Sequence, residues 1–265
     1  MSTKAEPLAI EGAELSILEH LDELRVRATR AAVGWLIATI VSFILAGPLL
    51  QFLLQPYIAS GVSSEQGAAE LQTLSPTENI ETFFKVSLLC GLVLAMPIIL
   101  HQFWLFVSPG LTKSERRYFF LFLPSTIILF LLGIGFAWFV LMPAAITFLA
   151  NFLPEIFAPG WTAQEYIGFV LSMLFYLGIS FEMPVIVYVL GRTGLLEGNV
   201  LREQWRFAVV GISVLAAVIT PSIDPITMML TMLPLLVLYV MSIFLARLGY
   251  RQFERSVAIQ DSESV

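Results

Sequence analysis

The chain has 265 residues, 58% of them hydrophobic and only 13% charged, with 14 lysines and arginines against 20 aspartates and glutamates. Soluble domains are roughly a quarter charged and under half apolar, so this composition and a mean hydropathy of +0.86 exclude one. An integral membrane protein is expected. The lone Cys90 lies in an apolar run, where it reads as a small packing residue and leaves no internal disulfide to form.

Taken in chain order, the N-terminus carries Glu6, Glu11, Glu14, Glu19, Asp22 and Glu23 before the first apolar run. A secretory signal peptide opens on basic residues instead, so that run is read as a retained span. Residues 14–29 read as an amphipathic helix at the inner leaflet, with Ile17, Leu18, Leu21 and Leu24 on one face. The apolar runs predict spans over 32–54, broken near Gly47-Pro48, then 84–106, 119–141, 167–190, 207–219 and 226–246. Pro97, Pro124, Pro184 and Pro234 fall inside spans and are expected to bend them into a curved bundle. The fifth run is short, about 20 Å as a helix at 1.5 Å per residue against a core of about 30 Å. The segment "NFLPEIFAPGWTAQEY" reads as an interfacial loop, and the tail 247–265 as charged and frayed. The whole chain, 1–265, reads as one all-α membrane domain.

Lysines and arginines fix the expected orientation. Lys4, Arg25, Arg27 and Arg30 precede span one, and Lys113, Arg116 and Arg117 lie between spans two and three. Arg192, Arg202 and Arg206 fall in the 4–5 link, and Arg247, Arg251 and Arg255 in the tail. The opposite side has Lys85 alone. The positive-inside rule makes the basic side cytoplasmic, which gives six spans with both termini inside.

That rule barely weighs acids, so it leaves Glu23 in "EHLDELRVR" and Glu115 in "LTKSERRYFF" unexplained. Glu23 can pair with Arg27 at i,i+4, and Glu115 with Lys113 or Arg116. Exposed pairs of this kind contribute only about 0–1 kcal/mol. Alternatively, the two carboxylates await a cation from another molecule. Arginine suits that role through two parallel hydrogen bonds.

The segments "HLDELR", "QPY", "MPIILHQFWLFVSPGLTKSERRYFF", "FEMPV" and "TPSIDP" stand in order on the expected loops and spans. Together they resemble the TatC family, the multi-spanning receptor of the twin-arginine protein translocase. The resemblance implies that Glu23 and Glu115 contact the paired arginines of a signal peptide. Phe106, Pro109 and Lys113 would share that cytoplasmic patch, with Arg25 supporting the N-terminal helix. Pro56 would open the first periplasmic loop. It further implies single-span partners of the TatA and TatB type, a homo-oligomer within a larger complex, a bacterial-type inner membrane, and export of folded cargo driven by the proton-motive force.

Glu182, in "GISFEMPVI", lies near the middle of span four, where a charge costs several kcal/mol. Pro184 frees the carbonyl of Ser180, so a polar notch is expected there. By itself Glu182 suits a proton relay as readily as a structural hydrogen bond. A proton-coupled secondary transporter is therefore the alternative function, although no paired broken helices or six-span repeat support it. The resemblance instead implies a concave polar pocket facing partner subunits, with Glu182 exposed to water or partner helices. Asp224 is either a turn residue before Pro225 or a neighbour of a docking site. Met228 stands near a place where the family often has Gln, and Thr227 is the polar residue that can substitute. His20 and His101 lack metal-ligand company. No metal, cofactor, catalytic constellation or nucleic-acid partner is expected.

Overall fold

The computed structural model describes residues 7–60, 71–107, 113–153, 155–156, 160–197, 199–220 and 225–263; within its helices the side chains of 7–18, 113–122, 256 and 259–263 fall outside it. Among these residues the protein is all-α, with one isolated backbone bridge. Among the described residues five helical segments are long and apolar enough to cross a membrane, and Trp205–Ile219 is a shorter apolar helix.

The first helix, α1 (Pro7–Ile44), runs unbroken from the amphipathic segment into the first span. Its junction, "ELRVRATRAAVGW", is rich in strong helix formers and holds no proline. The helix stops at Ile44, because Pro48 would clash with that carbonyl four residues back. The chain turns at Leu45 and resumes as α2 (Ala46–Leu53), so the break falls slightly ahead of Gly47-Pro48. Next comes α3 (Gln55–Ala59), with Pro56 in its first turn, where the missing N–H is not needed.

The second span is α4 (Glu78–Val107), with Pro97 inside. The third begins as α5 (Lys113–Phe136), passes through a π turn at Ala137–Leu141 and ends as α6 (Met142–Ala150). Pro143 supplies no N–H to the carbonyl of Phe139, and widening the helix there absorbs the mismatch. Span four is two helices rather than one: α7 (Ala163–Ser180) and α8 (Met183–Arg192). Pro184 in the first turn of α8 accounts for the break. A short α9 (Val200–Glu203) precedes α10 (Trp205–Ile219), whose 15 residues cover about 22 Å. Thr220 then turns extended. The last helix, α11 (Pro225–Glu263), has 39 residues. The expected frayed tail is thus helical to Glu263, and Tyr188 of α8 donates a hydrogen bond of 2.9 Å to Gln252 within it.

In lipid the helices gain little from leaving an apolar solvent, so close packing of small residues must hold them together. Two crossings show this. A Cβ on Gly91 of α4 would lie 2.6 Å from the Thr39 Cα of α1, and Trp35 Nε1 donates to the Leu88 carbonyl nearby at 3.3 Å. Likewise Gly249 of α11 sits directly against the Tyr188 carbonyl of α8. Span four is the most enclosed and α1 the least. A large apolar core gathers Leu141, Met142, Ile167, Met173, Leu177 and Leu235. A smaller one joins Met96, Leu100, Trp104 and Phe130 to Val185 and Val189 of α8.

The end opposite the arginines is fastened by backbone. Gln72 N–H donates to the Trp161 carbonyl at 3.1 Å, and Ala163 N–H to the Gln72 carbonyl at 3.0 Å. The buried Glu78 accepts from the N–H groups of Leu74 at 2.7 Å and Gln164 at 3.1 Å. Thr162 caps α7 by accepting from Glu165 N–H at 3.2 Å.

Candidate functional site

At the arginine-rich end, helical spacing sets three side chains of α1 on one stripe: His20, Glu23 and Arg27. Arg27 donates to Glu23 Oε1 at 3.0 Å. The other oxygen, Oε2, lies 3.9 Å from His20 Nδ1. Half of the carboxylate therefore still has room for a donor. The Glu23 side chain is 27% exposed, so an approaching molecule can reach it. Isolated i,i+4 pairs are worth about 0.2–0.5 kcal/mol, so the Arg27 contact yields easily to a stronger one.

The His20 ring stacks on Phe106, with centroids 4.4 Å apart and planes 19° from parallel. That stack fastens the carboxylate stripe of α1 to the last turn of α4. The structure thus brings Glu23 and Phe106 to one place, with His20 between them. His20 was not expected in the site; its only signal in the sequence is the i,i+3 relation to Glu23. Arg25 is exposed on another face of α1, beside a groove it shares with Asp22 and Arg30, and does not join the Glu23 stripe. Lys113 and Glu115 fall in the first turn of α5, with their side chains outside the described ones, and Pro109 lies outside the described residues.

Within the membrane, Glu182 occupies the junction of α7 and α8 and is 3% exposed. Neither carboxylate oxygen has a hydrogen-bond partner among the described residues. Its backbone carbonyl, by contrast, accepts from Val185 and Ile186 N–H, each at 3.1 Å. The expected exposure of Glu182 is therefore not seen: the folded chain encloses the carboxyl group, and a donor from outside would reach it only where the α7–α8 junction opens. Thr227 is fully buried on α11, and Met228 is half-buried beside it. Asp224 lies outside the described residues. Pro56 is half-buried on α3. Among the described residues no cluster of three or more His, Cys, Asp or Glu could hold a metal ion.

Relatives match this arrangement over most of the chain. The family model for the Sec-independent protein translocase protein TatC matches residues 19–234. The Sec-independent protein translocase protein TatC of Aquifex aeolicus is 37% identical over 240 residues, covering 90% of this chain and 97% of that protein. A chloroplastic counterpart from Arabidopsis thaliana is 38% identical over 90% of this chain and 68% of its own length. A crystal structure described as the twin arginine translocase receptor TatC superposes with a TM-score of 0.78 at 37% identity, covering 87% of this chain and 99% of that one. With its helical membrane fold and these matches, the chain belongs to the TatC family of Sec-independent protein translocase proteins.

Proposed function

We propose that this chain is the receptor subunit of a twin-arginine translocase, binding Arg-Arg signal peptides of folded cargo at its cytoplasmic face. The observation that carries the reading is the Glu23 carboxylate, weakly held by Arg27, half open, and stacked through His20 onto Phe106. The solved relative's description as a twin arginine translocase receptor supports it. Glu115, in the first turn of α5, is assigned the second arginine. The basic residues around both acids cancel much of the local negative field, so geometry rather than net charge selects the ligand. On this reading both termini are cytoplasmic, the membrane is a bacterial-type inner membrane, and the translocation energy comes from the proton-motive force. Glu182 is the contact for a single-span partner helix of the TatA or TatB type.

A peptide titration against the detergent-solubilised chain tests the receptor role. Lys-Lys peptides carry the same charge as Arg-Arg peptides but lack the planar fork. They are expected to bind at least about tenfold more weakly, roughly 1.4 kcal/mol. E23A and E115A should each weaken the Arg-Arg peptide by a similar factor without blocking membrane insertion. Equal affinities for both peptides would reduce the acids to a generic cation patch and defeat the mechanism.

A further inference from the structure

Where α9 and the 4–5 link meet α11, the structure holds a cavity of about 320 Å³. Arg202 enters its lining from α9, and Arg247 and Arg251 from α11. Glu197 and Glu254 line it too, yet among the described residues neither Arg202 nor Arg251 lies within ion-pair distance of a carboxylate. Arg202 and Arg251 are therefore held apart from the two glutamates around a shared space. Its volume falls in the range of small-molecule sites, about 300–1,000 Å³.

The walls are fixed. Tyr239 donates its hydroxyl hydrogen bond to the Leu201 carbonyl, which ties α9 to α11. The Gly249 crossing and the Tyr188–Gln252 bond hold α11 against α8 on the other side. Depth is set by two further features. Arg247 is the first charge after the apolar run of α11, and the exposed Trp205 opens α10 with the Arg206 guanidinium 5.8 Å from its ring centroid. Tryptophan favours the headgroup level of a bilayer, so the cavity lies there.

We propose that this cavity binds the head group of a glycerophospholipid. Its phosphate would sit among Arg202, Arg247 and Arg251, as in basic pockets between membrane helices. The ethanolamine ammonium or glycerol hydroxyls of the same head group would donate to Glu197 and Glu254. Choline has neither N–H nor O–H to donate, so phosphatidylcholine is the poor ligand. An acidic protein segment would satisfy the arginines but set further negative charge beside the two glutamates.

Native mass spectrometry of the full chain, exchanged into phosphatidylethanolamine, phosphatidylglycerol or phosphatidylcholine, reads the retained lipid directly. Retention of either donor-bearing lipid should exceed that of phosphatidylcholine by about tenfold or more, as a single charged hydrogen bond would give. R202Q/R251Q, at two exposed positions, should remove that retention, and R255Q, on an arginine outside the lining, should not. E197A/E254A should erase the preference over phosphatidylcholine. Whichever donor-bearing lipid dominates identifies the natural head group. Equal retention of all three lipids, or no loss in R202Q/R251Q, overturns the proposal. So does binding of inorganic phosphate or a polyglutamate peptide at these arginines with no lipid preference.

Discussion

Glu182 carries a cost that the isolated chain does not recover. Each unsatisfied buried polar group costs about 1–3 kcal/mol, and both of its carboxylate oxygens lack partners among the described residues. Two substitutions separate stability from assembly. E182L removes the unsatisfied group, so the isolated chain should melt at a higher temperature while co-purification of a single-span partner falls. E182Q keeps hydrogen-bonding capacity and should leave assembly near normal. Thermal melting followed by size exclusion, with co-purification beside it, reads both. Normal assembly of E182L would remove Glu182 from the docking surface. The position of this acid was legible in the sequence because a carboxylate inside an apolar run stands out. The Glu23–Arg27 pair was also legible, since it depends only on helical spacing. The His20–Phe106 stack was not, because it depends on how α1 crosses α4, and no spacing within either segment encodes that crossing.

At the scale of elements, apolar runs were enough to place six helices, but not to show where their backbone hydrogen bonds are interrupted. Pro184 signalled a disturbance in span four, yet the run around it is apolar on both sides and reads as continuous. The helical tail of α11 escaped for the opposite reason: its charges look like a loop until α8 is packed against it. The glycines report the crossings more sharply. In G91A the new methyl group would meet the Thr39 backbone, which cannot swing aside as a side chain can. Overpacking of this kind costs on the order of 1–3 kcal/mol, so the melting temperature should fall and the Trp35–Leu88 contact should open. G47A is the matched control, since a Cβ there meets nothing within 4 Å and alanine favours the helix. Equal melting of G91A and G47A would mean that the α1–α4 crossing has slack.

For the whole molecule, the asymmetry of charge is matched by an asymmetry of fastening. The arginine-poor end is closed by backbone pairing between Gln72 and Trp161–Ala163 and by the Glu78 carboxylate. At the other end the Glu23 stripe meets α4 through a ring stack. Between these ends lies the break at Phe181–Glu182, and it has a mechanical consequence. On one side α7 is packed into α4 and α5; on the other α8 is clasped to α11 by Gly191, Ala246 and Gly249. Span four crosses the membrane once, but its halves have different main neighbours: α8 lies chiefly on α11 and meets α4 and α5 through the smaller core at Val185 and Val189, with Glu182 at the joint. Amide hydrogen exchange should then show α8 gaining and losing protection in step with α11, and α7 in step with α4, with the boundary at Phe181–Glu182. Uniform protection across the break would mean a single rigid body. On the proposed reading, a partner helix that reached Glu182 would seat itself on this joint, and a small shift there would change the angle between the two halves of span four.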